Sequence, residues 1–175
     1  NYDEAKRLTN ETLAIAREIG FREGEAVALG NLALIVDEES IGDYDEAVRL
    51  YNEALAIKRE IGDREGEAAS LNNLGIIAKN RGKYDEAERL YNESLAIKRE
   101  IGNRAGEASS LGNLGNIAET RGDYDEAERL HNESLAIERE IGHRRGEASS
   151  LNNLGTIAGT RGDLDEAERL HNESL

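Results

Sequence analysis

"YDEAERLYNESLAIKREIGNRAGEASSLGNLGNIAETRGD", Tyr84–Asp123, aligns without a gap on the forty residues that follow it and on the forty that precede it, Tyr44–Lys83. This period of 40 dominates the chain. Periods of about 20–50 residues mark repeat architectures, in which one unit cannot bury its apolar face alone and neighbours must stack. The first unit starts at Tyr2 and reaches Tyr44 only after 42 residues, because Asp37–Asp43 (DEESIGD) carries two extra.

Each unit reads as two helices. In Tyr84–Ile101, residues Ala87, Leu90, Tyr91, Ser94/Leu95 and Ile97/Ile101 follow the i, i+3, i+4, i+7 spacing of one helical face. Asp123 precedes the next copy of this segment with Glu126 three positions on, a capping box; Asp43/Glu46 and Asp163/Glu166 repeat it. Asp45–Arg49, Asp85–Arg89 and Asp125–Arg129 stand at i, i+4 in the favourable order and are expected to pair. Gly102 stops the helix just after Lys98 and Arg99. We term this helix B.

The second segment, about Glu67–Arg81, carries Ala68, Leu71, Leu74, Gly75 and Ala78 along one stripe and is termed helix A. The links GD or GN and RGD are too short for anything but antiparallel neighbours. The expected fold is all-α, a solenoid of antiparallel helix pairs forming a single array over 1–175. Residues 1–22 supply a helix B; A–B pairs follow at 23–62, 63–102, 103–142 and 143–175, the last incomplete. The chain starts without Met and stops in mid-pattern, which predicts a piece of a longer protein.

Gly75, Gly115 and Gly155 fall inside helix A, where Gly costs about 1 kcal/mol against Ala. They lie on the apolar stripe, so the recurring cost is explained if a missing Cβ lets helix A approach helix B closely. Ala33 holds the equivalent place in the first pair.

The net charge is −15, from 37 acidic and 22 basic side chains. Such a surface repels nucleic-acid phosphates and anionic membranes. The absence of Trp argues further against base-stacking platforms. Without Cys there are no disulfides, thiolate metal sites or cysteine nucleophiles. No window approaches a membrane span, and a cytoplasmic setting is expected. GNLGN at Gly112–Asn116 lies in mid-helix with no preceding strand and is no dinucleotide fingerprint. DYDE lacks the glycine of a calcium loop. His131 and His171 replace the semi-buried Tyr51 and Tyr91, and His143 lies in a turn, so the three histidines read as packing or surface residues. No nucleophile–base–oxyanion constellation emerges. The chain reads as a non-enzyme without cofactor or metal.

These residues resemble the tetratricopeptide repeat. Its helix-A signature matches Leu71, Leu74-Gly75 and Ala78, and its helix-B signature matches Gly82, Tyr84, Ala87, Tyr91 and Ser94. The resemblance covers essentially the whole chain. The longer period, with Arg59 or Arg99 replacing the family's late Pro, is similar to repeats of kinesin light chains, spindle-orientation adaptors and prokaryotic signalling proteins. The resemblance implies a right-handed superhelical solenoid and a scaffold that binds proteins or peptides on a concave face lined by A helices.

Comparison of the repeats with one another adds to this. Tyr44–Lys83 and Tyr84–Asp123 differ at ten positions, of which five lie in helix A: Ala69/Ser109, Asn72/Gly112, Ile76/Asn116, Lys79/Glu119 and Asn80/Thr120. Their offsets of 3, 4, 3 and 1 describe one helical stripe, distinct from the Leu/Gly core stripe. The next comparison varies the same stripe at Gly112/Asn152, Asn116/Thr156 and Glu119/Gly159, with Ser149 continuing it. An exposed stripe free to drift and a diversified binding groove both fit. Beside it Asn31, Asn73, Asn113 and Asn153 never change. Their amides either pair with a ligand backbone, as the resemblance implies, or order the stack. At about 0.5–1.5 kcal/mol each, four amides fall short of the roughly 8 kcal/mol of a micromolar complex. Apolar contacts at Val27, Leu34 and Ile76 would supply the rest. Lys79 is the one candidate cation apart from Arg81, Arg121 and Arg161 at helix ends. The expected ligand is therefore a protein or an extended peptide, mostly neutral or mildly basic. The alternative is head-to-tail self-association into a structural array.

Overall fold

The computed structural model describes residues 2–39 and 44–175. Among these the secondary structure is nine helices and no strand: α1 Tyr2–Glu18, α2 Arg22–Glu39, α3 Asp45–Ile61, α4 Arg64–Asn80, α5 Tyr84–Glu100, α6 Arg104–Thr120, α7 Tyr124–Glu140, α8 Arg144–Thr160 and α9 Leu164–Glu173. The odd-numbered helices are B segments and the even-numbered ones A segments. The chain forms two compact units, Asn1–Leu90 and Tyr91–Leu175. In the first, α1 packs on α2, α2 on α3 and α3 on α4; in the second, α6 packs on α7, α7 on α8 and α8 on α9, and α6 also touches α8.

The turns follow from single residues. Gly62, Gly82, Gly102 and Gly122 have φ between 72° and 78°, the left-handed conformation that lets a helix stop in one residue. Helix A starts earlier than the apolar stripe suggests, at Arg64 rather than near Glu67, because Asp63 and Asn103 cap it by accepting from the amides of Gly66 and Gly106 at 2.8 and 2.7 Å. Asp123 and Asp163 accept from Glu126 and Glu166 amides at 3.2 Å. The reciprocal half of the expected capping box is not the bond these glutamates make. Glu126 and Glu166 are instead gripped through both oxygens by Arg129 and Arg169, at 2.6–2.7 Å. Asp43 lies outside the described residues.

Two further expectations are corrected. Ile101 is exposed, since α5 ends at Glu100 and Ile101 falls in the turn, whereas Ala87, Leu90, Tyr91, Ser94, Leu95 and Ile97 are buried. Two of the expected Asp–Arg i, i+4 pairs, Asp45–Arg49 and Asp125–Arg129, give way to others. Asp125 is taken by Arg161 at the end of α8, and Arg129 turns to Glu126 and Glu133. Likewise Asp45 is held by Arg81, and Arg49 reaches Glu53. An arginine arriving from the next helix finds Asp at the first turn, where the helix dipole already favours the anion.

The core repeats with the sequence. Leu71 and Ile77 in α4, and Leu111 and Ile117 in α6, are each 1% exposed. Gly115 performs the packing role read from the sequence: a Cβ there would lie 2.7 Å from the ring of His131 on α7, and one on Gly155 would lie 2.8 Å from His171 on α9. Tyr51, Tyr91 and His131 are fully buried rather than half-buried as expected, and at His131 it is Gly115 that leaves room for the ring between α6 and α7.

A network of ion pairs is the feature least visible in the sequence. Buried Glu107 on α6 accepts from Arg99 Nε of α5 at 2.8 Å and also from Arg104; Arg99 goes on to Glu133, and Arg104 to Glu140 at 2.6 Å. Around Glu25 the same pattern uses Arg17 and Arg22, which continue to Glu53 and Glu60. Around Glu147 it uses Arg139 and Arg144, the former continuing to Glu173. Burial pushes the Glu67 and Glu107 carboxyls up, but two guanidiniums each more than offset it and hold them below the usual range.

Candidate functional site

Ala69, Ser109, Ser149, Asn152 and Thr156 are exposed, and Asn72, Ile76, Lys79 and Asn116 half-buried. The stripe that differs between repeats therefore faces solvent on α4, α6 and α8, while Leu71 and Leu74 on the same helices are buried. In α2 the corresponding positions are apolar and open: Val27 is 54% exposed and Leu34 45%. Asn31 is exposed, and Asn73, Asn113 and Asn153 are half-buried. Among the described residues, the side-chain amides of Asn31, Asn73 and Asn153 make no hydrogen bond within the protein, whereas Asn113 is engaged internally. Two lone pairs and two N–H donors on each of three amides are thus left to water.

A further cation joins the stripe. The Lys58 ammonium lies 4.0 Å from where a Cβ on Gly30 would be, so the absent side chain opens a view of it from the α2 surface. It donates to Ser70 Oγ at 3.0 Å. Burial pushes its pKa down, against the opposing pull of Asp63. The sequence signal was the glycine at a position that alternates between Gly and Asn, Gly30, Asn72, Gly112 and Asn152.

The place that Lys58 holds in its repeat changes charge along the sequence. Lys98 donates to Ser110 Oγ at 3.1 Å, while Glu138 stands at the same place one repeat later with Oε2 2.6 Å from His143 Nδ1. The capping residue changes in step: Asp63, Asn103 and then His143, which makes no side-chain cap bond. A buried cation goes with an anionic or neutral cap, and a buried carboxylate with an imidazole. Glu138→Lys alone is expected to cost about 1–3 kcal/mol in urea unfolding, because it removes the imidazole's buried partner. Adding His143→Asn restores the arrangement of the preceding repeat and should recover at least half of the loss, a coupling that a double-mutant cycle reads directly.

No group of three His, Asp or Glu side chains suited to a metal occurs among the described residues, and no helix of theirs is long and apolar enough to cross a membrane.

Antiparallel helix pairs of constant size, joined by single-glycine turns and carrying a variable solvent face, define a helical repeat protein. The family model for the tetratricopeptide repeat matches residues 1–60, 36–100 and 106–175, and the chain belongs to that family. A search of curated proteins by sequence gave no match. Among solved structures, BtubC (BKLC) from P. vanneervenii is similar at 23% identity and a TM-score of 0.84, over 99% of this chain and 72% of that one. The Rap protein complexed with competence and sporulation factor is similar at 18% identity and a TM-score of 0.76, over 86% of this chain and 42% of that one. NprR in complex with its cognate peptide NprX is similar at 20% identity and a TM-score of 0.73, over 99% and 49%.

Proposed function

We propose that the chain is a protein- or peptide-binding scaffold, not an enzyme, whose repeats act as a single array with the ligand along the A-helix stripe. The observation that carries this reading is the coincidence of two patterns. The side chains that change from repeat to repeat are those that face solvent on helix A. Beside them, the amides of Asn31, Asn73 and Asn153 have no partner inside the protein. An amide with donors and acceptors to spare pairs with a main chain whatever its side chains, and the varying neighbours then set preference. The likeness to two structures solved with bound peptide or peptide factor supports the reading.

The stripe grades from apolar (Val27, Leu34, Ile76) to polar (Asn116, Ser149, Thr156). It therefore fits an extended, mostly neutral or mildly basic segment whose apolar side chains meet the first unit. Replacing Asn73 and Asn153 together by Ala is expected to weaken the binding of a partner recovered by affinity capture about tenfold or more, at about 1 kcal/mol per lost bond. The thermal midpoint should move little. Unchanged affinity by calorimetry would remove the amides from the site.

A second reading is head-to-tail assembly of copies. It is favoured by one observation, the exposed Leu8, Ile15, Ile19 and Phe21 of the first 21 residues. Sedimentation at increasing concentration decides it, since a constant monomer mass excludes assembly.

A further inference from the structure

The face of α4 that carries Leu74, Ile77 and Ala78 lies away from the proposed ligand stripe and forms the floor of a different feature. Between α3 and the first turns of α5 runs a cleft of about 120 Å³, floored by these residues and Leu90. Its rim includes Arg81, Lys83, Arg89 and Glu86. In the second unit a cleft of about 300 Å³ lies between α7 and α9 over α8, floored by Leu154, Ile157, Ala158 and Leu170. Each residue lining the first cleft has its counterpart, two repeats later, lining the second. The same cleft therefore occurs twice with two changes of lining: Val48 becomes Glu128, and Lys83 becomes Asp163.

Those two changes act on one group. In the second cleft the Arg161 guanidinium is held by two carboxylates, Asp125 on one nitrogen and Glu128 on the other at 2.5 Å. In the first, Arg81 is bound by Asp45 through Nη2 and lies over the Tyr44 ring, 5.8 Å from its centre. Val48 stands where the second carboxylate would come from, and no carboxylate among the described residues holds Arg81 Nη1. Lys83, its side chain 57% exposed, lines the same rim and among the described residues has only a long 3.7 Å ion-pair contact, to Glu86. A guanidinium with one fork unfilled, a neighbouring ammonium and an apolar floor make a compound site. The intramolecular Glu128–Arg161 pair shows what completes it.

We propose that the first cleft is a docking site for an acidic segment of a partner protein, one that places an aliphatic side chain on Leu74, Ile77 and Leu90. A flanking carboxylate of that segment bonds Arg81 where Glu128 bonds Arg161. The volume suits one branched aliphatic side chain, equal to about four waters at their liquid share of roughly 30 Å³. An apolar side chain displaces such waters with gain where the floor offers them no bonds. Charge selects the partner: the chain is acidic overall, and this rim is a local exception.

The test uses an acetylated, amidated pentapeptide of one leucine flanked on each side by two glutamates, with its lysine counterpart as control. Titration into the protein should shift the amide resonances of Leu74, Ala78 and Leu90, and the lysine peptide should not. Val48→Glu supplies the missing carboxylate internally and should weaken binding about fivefold, as should Lys83→Asp. Both residues occur at these positions elsewhere in the chain, and Asp at 83 adds a helix cap, so neither variant threatens folding. Glu128→Val with Asp163→Lys should confer binding on the second cleft. Equal affinity in Val48→Glu, absence of binding, or shifts confined to Ala69, Asn73 and Ile76 would each overturn the proposal.

Discussion

Lowering the pH from 7 to 5 is expected to remove about 2 kcal/mol of stability through His131 alone. The ring is fully buried beside Gly115, and neither nitrogen has a hydrogen-bond partner. Burial pushes its pKa down from 6.5 to about 4. The unfolded chain therefore binds the proton first. The native state keeps its full advantage above pH 6.5 and loses it as the pH falls toward 4, after which the loss is complete. The carboxylates of Glu25, Glu67 and Glu107, held low by paired arginines, act with the same sign but in a lower window, below their ordinary 4.5. His131→Tyr, which installs the residue found at positions 51 and 91, should flatten the urea-midpoint curve between pH 7 and 5 while leaving the loss below pH 4.5. Parallel curves for the two proteins would show that the ring stays neutral for another reason.

A second large effect concerns the glycines. Gly115→Val is expected to cost about 3 kcal/mol, since its Cβ alone would lie 2.7 Å from a ring with no room to move outward. Ala33, fully buried, holds the equivalent place in α2, so one methyl is compatible with the fold and the branched side chain is the decisive variant. Gly112→Ala, three residues away, should instead gain about 1 kcal/mol, because its Cβ would stand 4.0 Å from Ser134 Oγ in ordinary contact and helix propensity then dominates. Opposite signs at two glycines on adjacent turns of α6 separate a packing glycine from a merely open one. Equal destabilisation by the two changes would contradict the assignment.

The helix pairs, the turns and the glycine's packing role were legible because each depends on residues within one turn or one period. The stripe was legible for a different reason: repeats inside one chain are comparisons made on a common scaffold. The ion pairs were not. Asp125 has an arginine four residues on and another thirty-six on, and spacing alone favours the first; only packing brings Arg161 to the carboxylate. Full burial of Tyr91 and His131 also escaped the sequence, because Tyr and His carry polar atoms that ordinarily keep one end wet. The exchange of Lys98 for Glu138 stood in plain view among the repeat differences. Its meaning required the imidazole of His143, five residues on and across a turn.

The arginine–glutamate pairs have a consequence for how such a chain changes in length. Arg17 reaches Glu53, Arg99 reaches Glu133 and Arg139 reaches Glu173, so in each of these pairs the donor stands in one repeat and the acceptor in the next. Duplicating or deleting a whole forty-residue block regenerates both halves of each bond at the new junction. The pair tolerates the two extra residues of the first unit, where Arg17 and Glu53 stand 36 apart against 34 for Arg99 and Glu133, but a block that cuts a helix pair strands a charge on each side. The chemistry of the junctions thus keeps the chain in whole-repeat steps as it grows or shrinks, and its differences accumulate where no junction passes, on the open stripe of helix A.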